Sequence, residues 1–149
     1  MQWRRGEMII SDDRSAVDVA LVADWLARTH WGYRRAPETV KKLVANSLCF
    51  SLLLPGRYVG FARIVTDRTV FSWLSDLIVD EAFRGRGLGR WLIECILSHP
   101  DVAPTQIVLQ TSDGHGLYAK FGFEASTKLM SRPTEAMRTR HESTGPGTP

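Results

Sequence analysis

The stretch Trp73-Leu74-Ser75-Asp76-Leu77-Ile78-Val79-Asp80-Glu81-Ala82-Phe83-Arg84-Gly85-Arg86-Gly87-Leu88-Gly89 decides how this chain is read. It runs from a strand-like segment, 73–79, into a turn rich in arginine and glycine. That turn opens a helix-like segment, Arg90-Trp91-Leu92-Ile93-Glu94-Cys95-Ile96-Leu97. Glycines at this spacing between a strand and a helix expose several backbone N–H groups in one direction. With the positive end of a helix dipole behind them, these donors form an anion site suited to phosphates. Arg84, Arg86 and Arg90 add charge. The run points to a phosphorylated ligand. Taken by itself, it also fits a turn that binds nothing.

Two familiar phosphate loops are excluded. A Walker A loop needs Lys followed by Ser or Thr after its last glycine, whereas Gly89 is followed by Arg90 and Trp91. A dinucleotide fold places its glycines after the first strand of a repeating strand–helix series. Here they come past the middle of the chain, after a run of strands.

Working outward, Glu7–Ile10 reads as a short first strand. Val19, Val22, Trp25 and Leu26 recur at helical spacing within 18–28. Pro37 opens a second helix with Val40, Leu43 and Val44 on its apolar face. Leu48–Leu54, Tyr58–Thr66 and Val70–Val79 form an antiparallel meander, joined through Pro55-Gly56-Arg57 and Asp67-Arg68. A helix over 87–98 carries Leu88, Trp91, Leu92, Cys95 and Ile96 on one stripe and stops at Pro100. Thr105–Thr111 is a buried strand. A crossover of that length implies that it lies parallel to the strand before it. A short helix over 114–121 and two short closing strands, 123–126 and 128–131, follow. The expected fold is one α/β domain over 1–132, with a mixed, twisted, partly splayed sheet of about seven strands and about four helices. Residues 133–149, polar and aperiodic, read as a flexible tail.

A chain of 149 residues with 44% hydrophobic and 23% charged residues can build one ordinary core. No apolar run is long enough to cross a bilayer, and the first residues lack a secretory pattern. Cys49 and Cys95 sit in apolar segments without metal-ligand spacing, and no His/Cys/Asp cluster supports a metal site. The expectation is a cytoplasmic protein with reduced thiols and no metal. The net charge of +3 is too mild, and too local, for the dense basic stripe of a nucleic-acid binder.

The flanks add a resemblance. Leu77-Ile78-Val79-Asp80-Glu81-Ala82-Phe83-Arg84-Gly85-Arg86-Gly87-Leu88-Gly89 resembles the acetyl-CoA motif of the GNAT acetyltransferase superfamily: Leu-x-Val, an acidic turn, then Arg-x-x-Gly-x-Gly. Leu117-Tyr118-Ala119-Lys120-Phe121-Gly122-Phe123 resembles the Leu-Tyr-x-Lys-x-Gly-Phe segment of the same family. About thirty residues and one strand separate the two motifs, and the element order from Met8 to Arg132 agrees. The resemblance implies an acetyl-CoA-dependent N-acetyltransferase acting on a primary amine, with a small-molecule acceptor. A non-catalytic acyl-CoA-binding regulatory or interaction module is the alternative. Dimers are common among such relatives.

The resemblance implies that the backbone of Arg84, Gly85, Arg86, Gly87, Leu88 and Gly89, with Arg90, holds the coenzyme pyrophosphate. Leu77, Ile78 and Val79 would line the pantetheine arm, which would lie in the gap beside strand 70–79. The N–H of Val79 would steady the oxyanion. Tyr118 would protonate the departing thiolate, or else serve as a core tyrosine capping the short helix. Asp76 interrupts an otherwise apolar strand and is the leading base, directly or through water. A bulge or edge carboxylate paired with an arginine is the equal alternative. The family commonly has an asparagine seven residues before the tyrosine, where this chain has Thr111. His115 is a candidate for substrate binding. Trp31 and Tyr33, in the segment between the first two helices, are candidates for the acceptor pocket. Arg34 and Arg35 follow them, suited to a solvated charge pair or to a carboxylate on the acceptor.

Overall fold

The sheet grows in chain order. In the computed structural model, which describes residues 1–29 and 35–138, six strands lie side by side as β1 (Gln2–Arg5), β2 (Met8–Ser11), β3 (Leu48–Leu54), β4 (Arg57–Thr66), β5 (Phe71–Val79) and β6 (Gln106–Leu109). Neighbours are antiparallel from β1 to β5, and β5 pairs with β6 in parallel. The fold is mixed α/β, as the sequence implies. Two compact units divide the chain, Met1–Thr111 and Ser112–Pro149, and the whole sheet belongs to the first.

The central strand β4 is buried without a break from Val59 to Arg63 and on to Ile64, so both faces are covered, as a near-continuous apolar run requires. Helices α1 (Val19–Arg28) and α2 (Pro37–Ala45) cover one face, where Val22, Ala23, Leu26, Val40 and Val44 form one core cluster with Cys49, Phe61 and Ile78. Asp18 caps α1, its carboxylate accepting from the Leu21 N–H at 3.0 Å. Helix α3 (Leu88–Ser98) makes the crossover from β5 to β6, burying Leu88, Trp91, Leu92, Ile93, Cys95 and Ile96. At its end His99 is buried, its Nε2 facing the Asp12 carboxylate at 3.0 Å and its Nδ1 accepting from the Asp101 N–H.

Two expectations change. The chain forms an extra first strand, β1 (Gln2-Trp3-Arg4-Arg5), exposed except for Trp3, too short and too polar to show an alternation from which to read it. The closing strands expected at 123–126 and 128–131 do not form. Glu124-Ala125-Ser126-Thr127 has little apolar surface to bury, and Leu129 and Met130 stay 50% and 94% exposed. The second unit holds the short helix α4 (His115–Ala119). No helix among the described residues is long and apolar enough to cross a membrane. No group of three or more His, Cys, Asp or Glu side chains among them is placed to hold a metal ion.

Candidate active site

The turn between β5 and α3 is shaped by left-handed backbone. Gly85 has φ +76° and Gly87 φ +73°, and a Cβ added at either would meet nothing within 4 Å. The demand for glycine is therefore conformational rather than steric within the free protein. Gly87 is the N-cap of α3 and offers no side-chain acceptor to the first-turn N–H groups, while its carbonyl takes the N–H of Trp91 at 3.1 Å. An α-helix start of this kind presents donors and a positive dipole to an anion. Gly89 lies in that first turn. A Cβ there would stand 3.7 Å from the Leu77 side chain and 4.0 Å from that of Val79, so the turn abuts the end of β5.

Among the described residues no strand pairs with that end of β5 on its β6 side. Parallel pairing with β6 covers Phe71 to Leu74 and stops. On the other side, the Asp80 N–H donates to the Val59 carbonyl at 2.9 Å, and the register continues through Val79 opposite Gly60 and Ile78 opposite Phe61. Antiparallel hydrogen bonding alternates, so the N–H and carbonyl of Val79 turn away from β4 toward the edge that β6 has left. Arg84 reaches back and donates its Nε–H to the Val79 carbonyl at 3.2 Å. Phe83 is sandwiched by the guanidiniums of Arg57 and Arg86, 4.6 and 5.0 Å from its ring centre.

Between the paired and the open part of β5 sits a bulge. The register slips by one between Phe61 and Arg63, so that Asp76 and Leu77 together oppose Ala62. Asp76 takes φ +53°, a left-handed conformation that aspartate tolerates better than most residues. Its side chain is 2% exposed and held by two arginines. Arg63 Nε donates to Oδ2 at 2.8 Å, and Arg35 Nη1 donates to Oδ1 and Oδ2 at 3.1 and 3.2 Å. Arg63 is completed by Ser47 and Ser75, whose hydroxyls accept from its Nη1 and Nη2 at 3.2 Å each. Asp76 thus sits in a bulge with its carboxylate paired to two arginines.

Arg63 and Ser47 escaped the sequence reading. The signal was present: Arg63 breaks the apolar run Tyr58-Val59-Gly60-Phe61-Ala62 in the strand that hairpins onto the strand of Asp76. Trp31 and Tyr33 lie outside the described residues.

In the second unit, Tyr118 is half-buried on α4 with its ring edge-on to Phe123 at 5.7 Å. Burial first, and the negative charge of Asp113 second, push its hydroxyl above the ordinary 10, so it is protonated at neutral pH. His115 begins α4 and is exposed.

Comparison with known proteins bears on this geometry. A family model for the acetyltransferase (GNAT) domain matches residues 45–125. The crystal structure of a protein from Xanthomonas campestris pv. campestris, assigned to the GNAT family, superposes with a TM-score of 0.83 at 34% identity, covering 88% of this chain and 96% of that one. A Clostridium acetobutylicum protein described as an acetyltransferase and solved with acetyl-CoA shares the fold, with a TM-score of 0.63 at 12% identity over 85% of this chain and 96% of that one. A Gibberella zeae protein named as an acetyltransferase is 23% identical over 143 residues, 79% of each chain.

Proposed function

Because the chain belongs to the GNAT acetyltransferase family, we propose that it transfers the acetyl group of acetyl-CoA directly to the primary amine of a small-molecule acceptor. One observation carries the reading: the uncapped glycine turn, Arg84 to Gly89, abuts the stretch of β5 whose backbone opens beyond Leu74. A phosphate-binding cradle continuous with a free strand edge fits a ligand with a pyrophosphate at one end and an extended amide-bearing arm at the other.

Acetyl-CoA supplies an activated acyl thioester. The N–H groups at the start of α3, with Arg84, Arg86 and Arg90 around them, hold its pyrophosphate. Leu77, Ile78 and Val79 lie along its arm. The Val79 N–H, turned to the open edge, donates to the acyl oxygen as negative charge builds there. Tyr118, kept protonated, serves as the acid for the thiolate, a role assigned through the Leu117–Phe123 segment. Asp76, which orients the guanidiniums of Arg35 and Arg63, is assigned a positioning role. The proton of the incoming ammonium passes to water.

Calorimetric titration with acetyl-CoA and thiol release over a panel of amines test this. Binding with turnover on at least one amine supports the enzyme. Binding without release on any amine favours the non-catalytic acyl-CoA-binding module. Absence of binding refutes the assignment of the glycine turn.

A further inference from the structure

We infer that the acceptor amine also carries a carboxylate, and that Arg35 grips it. This rests on the reading of the chain as an N-acetyltransferase and names the substrate class of that same site.

Two guanidiniums, Arg35 and Arg63, share one carboxylate, Asp76. Among the described residues no second carboxylate reaches either cation. Cys49, close enough to feel Arg63, Arg14 and Asp76, is pushed up to about 11, chiefly by burial, and stays a neutral thiol. Ser47 and Ser75 carry no charge. Counting the described residues, the cluster therefore holds one uncompensated positive charge in a largely buried place. Such a charge is costly unless an anion joins it.

Division of labour within the cluster says where that anion goes. Arg63 is 9% exposed and donates through all three of its nitrogens, to Asp76, Ser47 and Ser75. It needs no further partner. Arg35 is 22% exposed and meets Asp76 through Nη1 alone. Fixing that one nitrogen orients the planar guanidinium and, among the described residues, leaves the Nη2 and Nε donors as a fork. A fork of this kind matches the two oxygens of a carboxylate.

Position completes the case. Asp76 is held by Arg63, two residues along β4 from Phe61, and Phe61 packs with Ile78 in the cluster that α1 and α2 build. Arg35 enters from the segment that joins those helices. The bulge lies where β5 parts from β6, and the strand from Asp76 to Val79 spans about 10 Å. A carboxylate held at Arg35 thus leaves room for an amine a few bonds away to reach the acyl carbon. An amino acid or a similarly sized amino carboxylate has that span.

Matched pairs test the inference: free amino acids against their primary amides, each assayed by thiol release with acetyl-CoA. Each pair is also titrated into protein saturated with coenzyme A. The carboxylates should exceed their amides in kcat/KM, and in affinity, by at least about tenfold, the value of one charge-assisted fork. Arg35→Gln should raise KM for the carboxylates until the pair is level, with kcat falling far less than KM rises. Arg35→Lys, which keeps the charge without the fork, should recover part of the preference. Asp76→Asn should weaken the preference as Arg35 loosens, without displacing the pH profile of kcat, which removal of a base would displace. Amides that bind and react as well as carboxylates would overturn the inference, as would equal losses on both partners in Arg35→Gln. Carboxylates that bind through Arg35 without thiol release would support the anion site and refute the transferase reading, so the two failures are distinct.

Discussion

Replacing Gly87 by alanine separates the backbone's role in folding from its role in binding. Gly87 sits at φ +73°, and an added Cβ meets nothing within 4 Å. The cost to the free protein is then conformational alone, about 1–2 kcal/mol for an L-residue held left-handed. For a chain of this size each kcal/mol lowers Tm by roughly 2–4 °C. Gly6 supplies the control: its φ is +62°, its added Cβ also meets nothing within 4 Å, and it lies in the turn between β1 and β2. Gly6→Ala should cost the same few degrees. The two variants should diverge on titration with acetyl-CoA. At Gly87 the new methyl projects into open space at the start of α3, where the phosphate is proposed to sit. Losing one hydrogen bond to a charged oxygen costs about 1.5–3 kcal/mol, or about ten- to a hundredfold in Kd. Thermal melts and calorimetry on both variants read the two effects. If Gly87→Ala lost the same stability as Gly6→Ala yet bound acetyl-CoA within twofold of the wild type, the cradle argument would be refuted.

Tyr118→Phe should lower kcat with little change in KM for acetyl-CoA. The alkaline limb of wild-type kcat should lie above pH 10 and vanish in the variant, since burial raises that hydroxyl; an unchanged kcat at every pH would remove the tyrosine from the chemistry. Leu92→Ala should destabilise the fold by about 2–5 kcal/mol in urea titration, because Leu92 is fully buried on α3 and leaves a cavity; a loss under 1 kcal/mol would mean that the helix repacks. Asp12 is lowered from its ordinary 3.8: burial pushes it up, but the chain's amino group and His99 outweigh this by hydrogen bonding and charge. A depressed carboxylate contributes stability that is present above its unfolded value and lost as pH falls through the folded one. Asp12→Asn should therefore flatten the acid limb of stability below about pH 4, and an equal slope in both proteins would count against the pairing.

Much of the fold was legible because its signals are local. Pro37, Pro55-Gly56 and the glycine turn mark element ends whatever the tertiary context, and β3 spans Leu48–Leu54 as its apolar run implies. The edges were harder. β1 is polar and exposed apart from Trp3, so its strand state rests on pairing with β2 and on that one ring rather than on any pattern of its own. The candidate site divides the same way. Glycines with φ near +75° could be read from composition, since few other residues suit that backbone. The bulge could not, because a slip of one residue belongs to the register of two strands together. Nor could the partnership of Arg35 with Asp76, 41 residues apart, be weighed before the hairpin brought Arg63 beside them.

The early end of the β5–β6 pairing has a further consequence, for solubility. If the proposed coenzyme is absent, β5 from Ser75 to Val79 has no strand paired on its β6 side among the described residues, and such an edge invites the strand of another molecule. Arg84 blunts it by occupying one carbonyl and setting a cation at the rim. Coenzyme bound along that edge would complete the protection. Aggregation on storage or heating should therefore track coenzyme occupancy more closely than global stability, and an Arg84→Ala preparation should cloud first.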